Sequence, residues 1–380
     1  MPGSPVVFWT GVLSYVNFAG AIHALAQASL LWVVRRGNRR ANRTMAAFLV
    51  VLAIGMSHGV AERAGLYQAW PALGLLMGTL PLLYGPLFYF YVRAVTDRES
   101  RWTPVDALHG VPFVVGIAAY AIFFAWRWGP QFGSGAIDSV IRAPWQVVLV
   151  LTTVQTIVYV RRIRDSLSRH SDVVKSSYST LDKVTLGWLR QRLTIYAVIW
   201  ASGIVMMGAV AFEPRALGVA SQSVFLLVAL NTFATGYRAM LEPIFFGPDA
   251  PAGPVRRYER SNLTPENAAV LKARLLTLME HDKPFLDPEL TLPALAEVLG
   301  VQPAHLSRVI NELLKQNFFE FINRYRVESA RQRLAARSAM GEKLITVALE
   351  CGFNSVSTFN RVFKDLAGRT PSDYRRHPTS

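Results

Sequence analysis

Cysteine and charged residues are both scarce in this chain. Its 380 residues include a single cysteine, Cys351, so no disulfide can form within the chain. Charged residues make up 17% of the sequence and hydrophobic residues 52%, whereas a soluble domain carries about a quarter charged residues. Residues 1–260 also lack a glycine-rich phosphate loop, a His/Asp/Glu metal cluster and a nucleophile motif. We therefore expect neither a disulfide scaffold nor an enzyme, and no cofactor or metal.

The hydrophobic residues are concentrated in the first two thirds of the chain. Seven stretches are apolar over about 20 residues, which is enough to cross a bilayer as a helix. They lie near 6–34, 44–65, 70–95, 105–126, 142–161, 190–212 and 217–238. The sequence therefore predicts an all-α fold whose residues 1–241 form a seven-helix transmembrane bundle.

The basic residues predict the orientation of this bundle. The net charge is +15, and most of the excess lies between the apolar stretches. Sixteen Lys and Arg residues fall in the first, third and fifth loops, against four in the loops on the other side. Because cytoplasmic loops of membrane proteins are enriched in Lys and Arg, we expect the N-terminus outside and the C-terminus in the cytoplasm.

Composition changes after the last apolar stretch. Pro243, Pro248, Pro251, Gly253 and Pro254 disfavour helix, so residues 242–263 are predicted to form a linker. Thr264 followed by Pro265 is typical of a helix start, and that helix should run to about His281. Residues 264–380 are predicted to form a separate helical domain.

That domain contains an internal repeat of helix, tight turn and helix. Alanine and glycine stand four residues apart in both copies, as Ala296/Gly300 and Ala348/Gly352. Two helices that cross over a short turn need a small residue at the crossing and a glycine in the turn. A helix from about Phe318 to Arg337 should join the copies.

Apolar periodicity predicts which side chains face inward in each copy. For the first copy these are Leu292, Leu295, Ala296 and Leu299, followed by Leu306, Val309 and Leu313 in the second helix. For the second copy they are Ile345, Ala348 and Leu349, followed by Phe359 and Phe363, with Phe353 in the corner and Asn354 or Ser355 as the cap.

Three tracts of the second copy carry a family resemblance: Ala348–Phe353, Ser357–Lys364 and Gly368–Arg375. In them the sequence resembles the AraC/XylS family of bacterial transcription regulators, over about residues 265–377. The resemblance implies a double helix-turn-helix whose two recognition helices enter successive major grooves on one face of double-stranded DNA. It also implies a bacterial protein, here placed in the inner (cytoplasmic) membrane as a multi-pass chain, with RNA polymerase as a partner if the protein is an activator.

The outward positions of the second helices are the candidate DNA contacts. They are Ala304, His305, Ser307, Arg308 and Asn311 in the first copy, and Ser357, Asn360, Arg361 and Lys364 in the second. Arg308 and Arg361 could each read guanine, clamp a phosphate or form a helix-surface ion pair. Ser355, Thr358 and Arg324 are better suited to contacts with the DNA backbone, which position without specifying. Ala304 departs from relatives that carry a bulky side chain there, which puts the sequence specificity of the first copy in question.

The membrane half is predicted to sense a small-molecule or membrane signal, since soluble members of the family sense ligands with their N-terminal domain. His58, Glu62 and Arg63 are the candidate ligand residues, because polar groups in membrane spans are costly and often functional. The alternative, which the sequence favours, is that they serve interfacial anchoring and helix-to-helix hydrogen bonding. The basic loop Arg161–Leu189 could lie on the anionic inner leaflet or dock on the DNA-binding domain.

The sequence thus favours a membrane-anchored, sequence-specific DNA-binding transcription regulator that responds to a signal through its transmembrane domain. Homodimerisation in the membrane plane would raise its affinity for DNA. Two alternatives remain open: a membrane enzyme or transporter with an autoregulatory DNA-binding module, and a bare membrane anchor controlled by a partner protein.

Overall fold

The computed structural model describes residues 5–34, 38–97, 100, 102–128, 137–181, 186–210, 217–241, 263–336 and 342–377. In these residues the chain is helical, and the only strand-like feature described is one isolated β-bridge. The all-α prediction is therefore confirmed. The chain divides into two compact units, Met1–Leu167 with Leu186–Pro251, and Ser168–Thr185 with Ala252–Ser380.

The first unit is built on long apolar helices. In chain order they are α1 (Pro5–Val33), α2 (Arg39–Met56), α3 (His58–Arg63), α4 (Leu66–Ala69), α5 (Pro71–Thr79), α6 (Pro81–Thr96), α7 (Val111–Trp128), α8 (Ile137–Lys175), α9 (Gly187–Val210) and α10 (Leu217–Leu241), with a 3-10 turn at Pro104–Gly110. Helix α8 continues beyond Leu167, so its last residues belong to the second unit.

Helix α2 forms the centre of the first unit. It packs against α1, α6 and α10, and Met45, Leu49 and Leu52 on it are fully buried. Large apolar side chains such as Trp32 and Leu230 are exposed on the outside of the same helices. Apolar groups on both the inner and the outer surface are typical of helices that lie in hydrocarbon rather than water.

Four helical segments are long and apolar enough to cross a membrane: Pro5–Val33, Arg39–Arg63, Pro104–Ile122 and Val219–Arg238. The pair Ala72–Thr79 and Pro81–Thr96, bent by 44° at its break, adds a fifth if it is one span. The described parts of 142–161 and 190–212 are also helical but are not among these candidates. The described residues thus contain four or five candidate spans, where seven were predicted.

Apart from Ser168–Thr185, the second unit consists of the C-terminal part of the chain, which follows the predicted linker 242–263. Nearly all of that linker lies outside the described residues. The remaining helices are α11 (Pro265–His281), α12 (Leu292–Val298), α13 (Pro303–Arg308), α14 (Phe318–Ala335), α15 (Leu344–Glu350), α16 (Val356–Ala367) and α17 (Pro371–Arg376), with a π-helical segment at Val309–Leu313 that continues α13 and a 3-10 turn at Pro284–Leu286.

Helix α14 joins two separate hydrophobic cores in this unit. Its first half contributes Phe318 and Ile322 to a core shared with α11, α12 and α13. Its second half contributes Val327 and Ala330 to a core shared with α15, α16 and α17. The predicted joining helix is confirmed, and it ends two residues earlier than expected.

Three of the predicted inward positions are wrong. Leu313 is largely exposed because the π-helical segment adds a residue to the turn, and Ile310 is buried in its place. In α15, Ile345 is 50% and Leu349 is 53% exposed, while Val347 and Ala348 are fully buried. The period of the apolar pattern was correct there, but its phase on the helix was not.

Candidate DNA-binding surface

The two helix-turn-helix copies share the backbone geometry of their turns. Gly300 and Gly352 have φ of +67° and +85°, which is the left-handed region where a Cβ is disfavoured. In the first turn the Val301 amide donates to the Ala296 carbonyl at 3.0 Å, and in the second the Phe353 amide donates to the Ala348 carbonyl at 2.9 Å. The alanine–glycine spacing read from the sequence therefore marks two equivalent turns.

The recognition helix of the second copy, α16, is a regular amphipathic helix. Ser355 caps it, its hydroxyl accepting the Thr358 amide at 3.2 Å. Phe359 and Phe363 are fully buried, as predicted. The opposite face exposes the four predicted contact residues, Ser357, Asn360, Arg361 and Lys364. Two cations and two hydrogen-bonding side chains thus lie on one exposed face of α16.

Two other candidates in this copy are less accessible. Thr358 is buried against the domain, and its hydroxyl accepts a hydrogen bond from the Ser355 hydroxyl at 3.0 Å. Ser355 uses its side chain for the helix cap. Both side chains therefore serve to hold the N-terminus of α16 in place. The backbone amides at a helix N-terminus are suited to bind a DNA phosphate.

The recognition helix of the first copy is less regular. It consists of the six-residue α13 and the π-helical segment Val309–Leu313, and it is followed by Lys315, which has φ of +55°. His305 and Ser307 are half-buried and Asn311 is exposed, with the Asn311 amide nitrogen 3.1 Å from the Ser307 hydroxyl.

Ala304 does not lie on this outward face, contrary to the sequence prediction. Its side chain is only 8% exposed. It is the second residue of a helix that starts at Pro303, and its methyl group turns towards the domain. The first copy therefore offers four of the five predicted positions at its surface.

The two candidate guanine readers, Arg308 and Arg361, differ in their surroundings. The Arg308 guanidinium donates to the Glu312 carboxylate at 2.8 Å and to the Leu263 carbonyl at 2.9 Å. Arg361 lies exposed on α16. Of the alternatives weighed from the sequence, the helix-surface ion pair is the one that Arg308 adopts here.

Ion pairs fasten α14 to the second copy, and the sequence did not reveal them. The Arg333 guanidinium donates to both oxygens of Glu342, at 2.9 and 2.8 Å, and also pairs with Glu350. These bonds hold the pKa of Glu342 below its ordinary value. Burial raises the pKa of the Cys351 thiol, which lies in the same core, so this cysteine is not activated as a nucleophile.

Arg326 and Asn323 on α14 are the buried polar side chains that sequence analysis missed. Both are almost completely buried. Desolvation lowers the pKa of Arg326 to about 10, and Asp287 partly offsets this. The hydrogen-bond partners of Arg326 are distant in sequence, so the sequence could not show them. The one available signal was the position of both residues within an apolar helical pattern.

Two of the candidate ligand residues of the first unit, His58 and Glu62, lie close together on α3. The Tyr67 hydroxyl is 2.7 Å from Nδ1 of His58, and the Glu62 carboxylate is 4.0 Å from Nε2 of the same ring. Arg63 instead points to α1, where it donates to the Val7 carbonyl at 3.4 Å. His58 and Glu62 thus form one polar cluster with Tyr67, a residue that the sequence did not single out.

Comparison with known proteins identifies the C-terminal part. Residues 295–377 match the helix-turn-helix domain family. A stretch of 87 residues, 23% of this chain, is 36% identical to an uncharacterized HTH-type transcriptional regulator of Staphylococcus aureus, covering 11% of that protein. A stretch of 89 residues is 32% identical to a putative AraC-like transcription regulator of Streptomyces lividans, covering 28% of that protein.

A solved structure also matches about a third of this chain. It is the C-terminal domain of AraT, a response regulator from Geobacillus stearothermophilus. The match has 28% sequence identity and a TM-score of 0.26, and it covers 32% of this chain and 95% of that chain. The alignments to the curated relatives span about a tenth to about a quarter of their length. An AraC-type helix-turn-helix domain at the C-terminus is confirmed by the family model and the relatives. Within the described residues no group of His, Cys, Asp and Glu is arranged to hold a metal.

Proposed function

We propose that this chain is a membrane-anchored, sequence-specific DNA-binding transcription regulator that receives a signal through a seven-helix transmembrane domain. The single observation that supports it best is the outer face of α16, where Ser357, Asn360, Arg361 and Lys364 are exposed opposite a buried aromatic face. Among the residues that the structure describes, the same polypeptide carries four or five helices apolar enough to cross a membrane. A DNA-reading helix and a membrane domain in one chain make a one-component regulator.

The DNA-binding step follows from the chemistry of that face. Arg361 has the forked guanidinium that pairs with the O6 and N7 of guanine, and Asn360 can pair with adenine. Lys364 supplies a charge for a phosphate, which positions the helix. In the first copy, His305, Ser307, Arg308 and Asn311 would take the equivalent places in the next major groove.

The membrane topology is proposed to contain seven spans. The two beyond the candidate segments would be the apolar parts of α8 and α9, near 142–161 and 190–212. An odd number of spans places the C-terminal domain on the side of the arginine-rich loops, which is the cytoplasm of a bacterium, and the N-terminus outside. The transmembrane domain is then 1–241, the linker 242–263 and the DNA-binding domain 264–380.

Signal reception is proposed for the cluster of His58 and Glu62, with Arg63 beside it. A small molecule or a change in the membrane would alter helix packing there, and the DNA-binding domains would be presented or paired differently, as a homodimer on the membrane plane. RNA polymerase would be a further partner if the protein activates transcription.

Genome-wide mapping of DNA occupancy by the tagged full-length chain tests this function. We expect discrete binding sites for the unmodified protein, and their loss in the double variant Arg361→Ala/Lys364→Ala. The matched control is Lys272→Ala, a basic residue of α11 outside both helix-turn-helix copies, which should keep every site. Occupancy that survives in the double variant, or recovery of the chain from the soluble fraction, would contradict the proposal.

A further inference from the structure

A short segment between α8 and α9 lies on the DNA-binding unit. Residues Ser176–Leu181, called the strap from here on, belong to the second unit although they precede α9 of the first. Tyr178 forms an antiparallel β-bridge with Thr291. On either side of it the Ser179 amide donates to the Leu290 carbonyl at 3.3 Å, and the Leu292 amide donates to the Ser177 carbonyl at 3.0 Å.

Ser179 is the centre of this contact and is only 1% exposed. Its carbonyl accepts from the Asn323 amide at 2.9 Å and from the Arg326 guanidinium at 3.2 Å. Its hydroxyl accepts from Arg326 at 3.1 Å and donates to the Leu290 carbonyl at 2.6 Å. One residue of the strap is therefore tied both to α14 and to the loop that leads into α12.

The strap supplies hydrogen-bond acceptors to the buried side chain of Arg326. This guanidinium is fully buried, and its other described acceptors include the carbonyls of Phe285 at 2.7 Å and Asp287 at 2.6 Å. A buried cation needs a partner for each of its N–H groups, because an unpaired one costs a large desolvation penalty. Without Ser179 part of the guanidinium would face the core without an acceptor, so the strap completes a polar site in the domain.

The strap is also placed where it can influence both helix-turn-helix copies. Asn323 and Arg326 lie on α14 between its contributions to the first and the second core. Thr291, opposite Tyr178, caps α12, the first helix of the first copy, by accepting the Ala294 amide. None of the strap contacts described here involves the exposed face of α16, so a docked strap leaves that face open to DNA.

We propose that docking of the strap on Arg326, Asn323 and Leu290 is coupled to DNA binding: the docked strap holds α14 and α12 in the arrangement that binds DNA, and undocking weakens it. This rests on the proposed function. Because the strap follows α8 directly in the chain, and α8 begins in the membrane half, a change in α8 would reach the DNA-binding domain through this contact. The strap would then transmit a signal from the transmembrane domain to the DNA-binding domain.

A reversible crosslink measures docking in the full-length chain. The background is Cys351→Ala, which removes the only native cysteine, with Tyr178→Cys and Thr291→Cys added, in lipid nanodiscs. Residues 178 and 291 form a non-hydrogen-bonded antiparallel pair, whose Cα atoms lie about 4.5 Å apart, within the range that a disulfide spans. The yield of the crosslink under mild oxidation reports how much of the strap is docked.

Two substitutions at Ser179 then loosen the strap. Ser179→Ala removes the hydroxyl that bonds Arg326 and Leu290, and Ser179→Leu adds bulk at a buried position. The control is Ser176→Leu, a half-buried neighbour whose hydroxyl bonds only its own helix end, at the Val173 carbonyl, among the contacts described. We expect a lower crosslink yield in both Ser179 variants and an unchanged yield in the control.

DNA affinity is measured on the same proteins with a fluorescent duplex that carries a site recovered by the occupancy mapping. We expect the Ser179 variants to bind at least about tenfold more weakly when reduced, and to regain affinity when the disulfide is formed. Linkage requires the converse, so the duplex should raise the crosslink yield of Ser179→Ala. Because a disulfide also stabilises the folded domain, the reduced Ser179 variants must resist proteolysis as the parent does for this difference to report docking.

The outcomes separate this inference from the proposed function. If the Ser179 variants lose the crosslink but bind the duplex as the parent does, or if neither variant lowers the crosslink yield, the coupling is wrong while the DNA-binding function stands. If no variant and no redox state, including the parent, binds any recovered duplex, the proposed function itself fails. The crosslink yield remains measurable in that case, so the two failures are distinguishable.

Discussion

The two helix-turn-helix copies use the same turn but build different recognition helices. Both turns have an alanine at the helix crossing and a glycine with positive φ. The second copy then forms a twelve-residue α-helix with a side-chain cap, Ser355. The first copy forms six α-helical residues and a π-helical segment, and Gln302 at its start makes no side-chain cap. Shared turn geometry thus does not imply equivalent DNA-reading surfaces.

The comparison indicates a division of labour. In the second copy the basic residues of α16 are exposed on a regular helix, a geometry that suits base reading. In the first copy Arg308 is engaged with Glu312 and the Leu263 carbonyl. We therefore expect the second copy to supply most of the sequence specificity, and the first copy to contribute mainly affinity.

The largest difference between the copies should appear when each turn glycine is replaced by alanine. A Cβ at Gly352 would lie 2.4 Å from the Phe285 carbonyl oxygen and 3.0 Å from the Leu286 Cα, whereas a Cβ at Gly300 would meet nothing within 4 Å. Positive φ costs an alanine about 1–2 kcal/mol, and overpacking adds about 1–3 kcal/mol. We expect Gly352→Ala to lose about 2–5 kcal/mol of unfolding free energy, and Gly300→Ala about 1–2 kcal/mol.

Both losses are measured by unfolding the full chain with urea in detergent. The readout is the susceptibility of the C-terminal domain to proteolysis at each urea concentration. The Phe285 carbonyl also accepts the Arg326 guanidinium, so Gly352→Ala should loosen the site on which the strap docks as well. Equal destabilisation by the two substitutions would break the comparison, because it would mean that the close approach at Gly352 relaxes at no cost.

The next largest effect is a difference in DNA affinity between variants of Arg361, which is exposed, and variants of Arg308, which pairs with Glu312. Arg361→Ala removes a candidate guanine contact, for which about 1–3 kcal/mol of binding free energy is typical. Arg308→Ala should weaken binding less, since its guanidinium is already engaged within the domain. Glu312→Ala sharpens the test: it releases Arg308 and removes a negative charge, so affinity should rise. Fluorescence titrations with specific and scrambled duplexes measure these changes, and a larger loss in Arg308→Ala would reverse the assignment.

Much of the C-terminal fold could be predicted because its signals are local. Thr264 and Pro265 marked the start of α11, which ends at the predicted His281. Gly300 and Gly352 marked both turns, since their backbone conformation suits glycine. The inward positions Leu292, Leu295, Ala296 and Leu299 are all buried. Caps, glycines and apolar spacing each act within about one helical turn, so a single sequence displays them.

The features that could not be predicted depend on distant residues. The π-helical segment shifts Leu313 outward and Ile310 inward, and α15 buries Val347 instead of Ile345. The strap depends on Ser179 and Arg326, which are 147 residues apart. The sequence left open whether this loop meets the membrane or the domain, because serines in a polar loop suit either.

Helix capping should give a smaller difference between the copies. Ser355→Ala removes the hydroxyl that accepts the Thr358 amide, and loss of such a cap costs about 1 kcal/mol of unfolding free energy. Gln302→Ala should cost much less, because Gln302 makes no side-chain cap on α13. Urea midpoints of the full chain provide the comparison. A cost at Gln302 that matched the cost at Ser355 would mean that α13 is held by a contact of equal strength.

The smallest expected effect is a loss of stability at low pH that arises from an ion pair of the second copy. Hydrogen bonds from Arg333 lower the pKa of Glu342 in the folded domain below its ordinary value of 4.5. A carboxyl with a depressed folded pKa stabilises the domain above its unfolded pKa, and this stabilisation is lost as the pH falls through the folded pKa. We expect the urea midpoint of the parent to fall more steeply below about pH 4.5 than that of Glu342→Gln. Arg333→Gln should flatten the profile in the same way, and the double variant should add little. A parent profile that ran parallel to that of Glu342→Gln would show that this ion pair does not fasten α14 to the second copy.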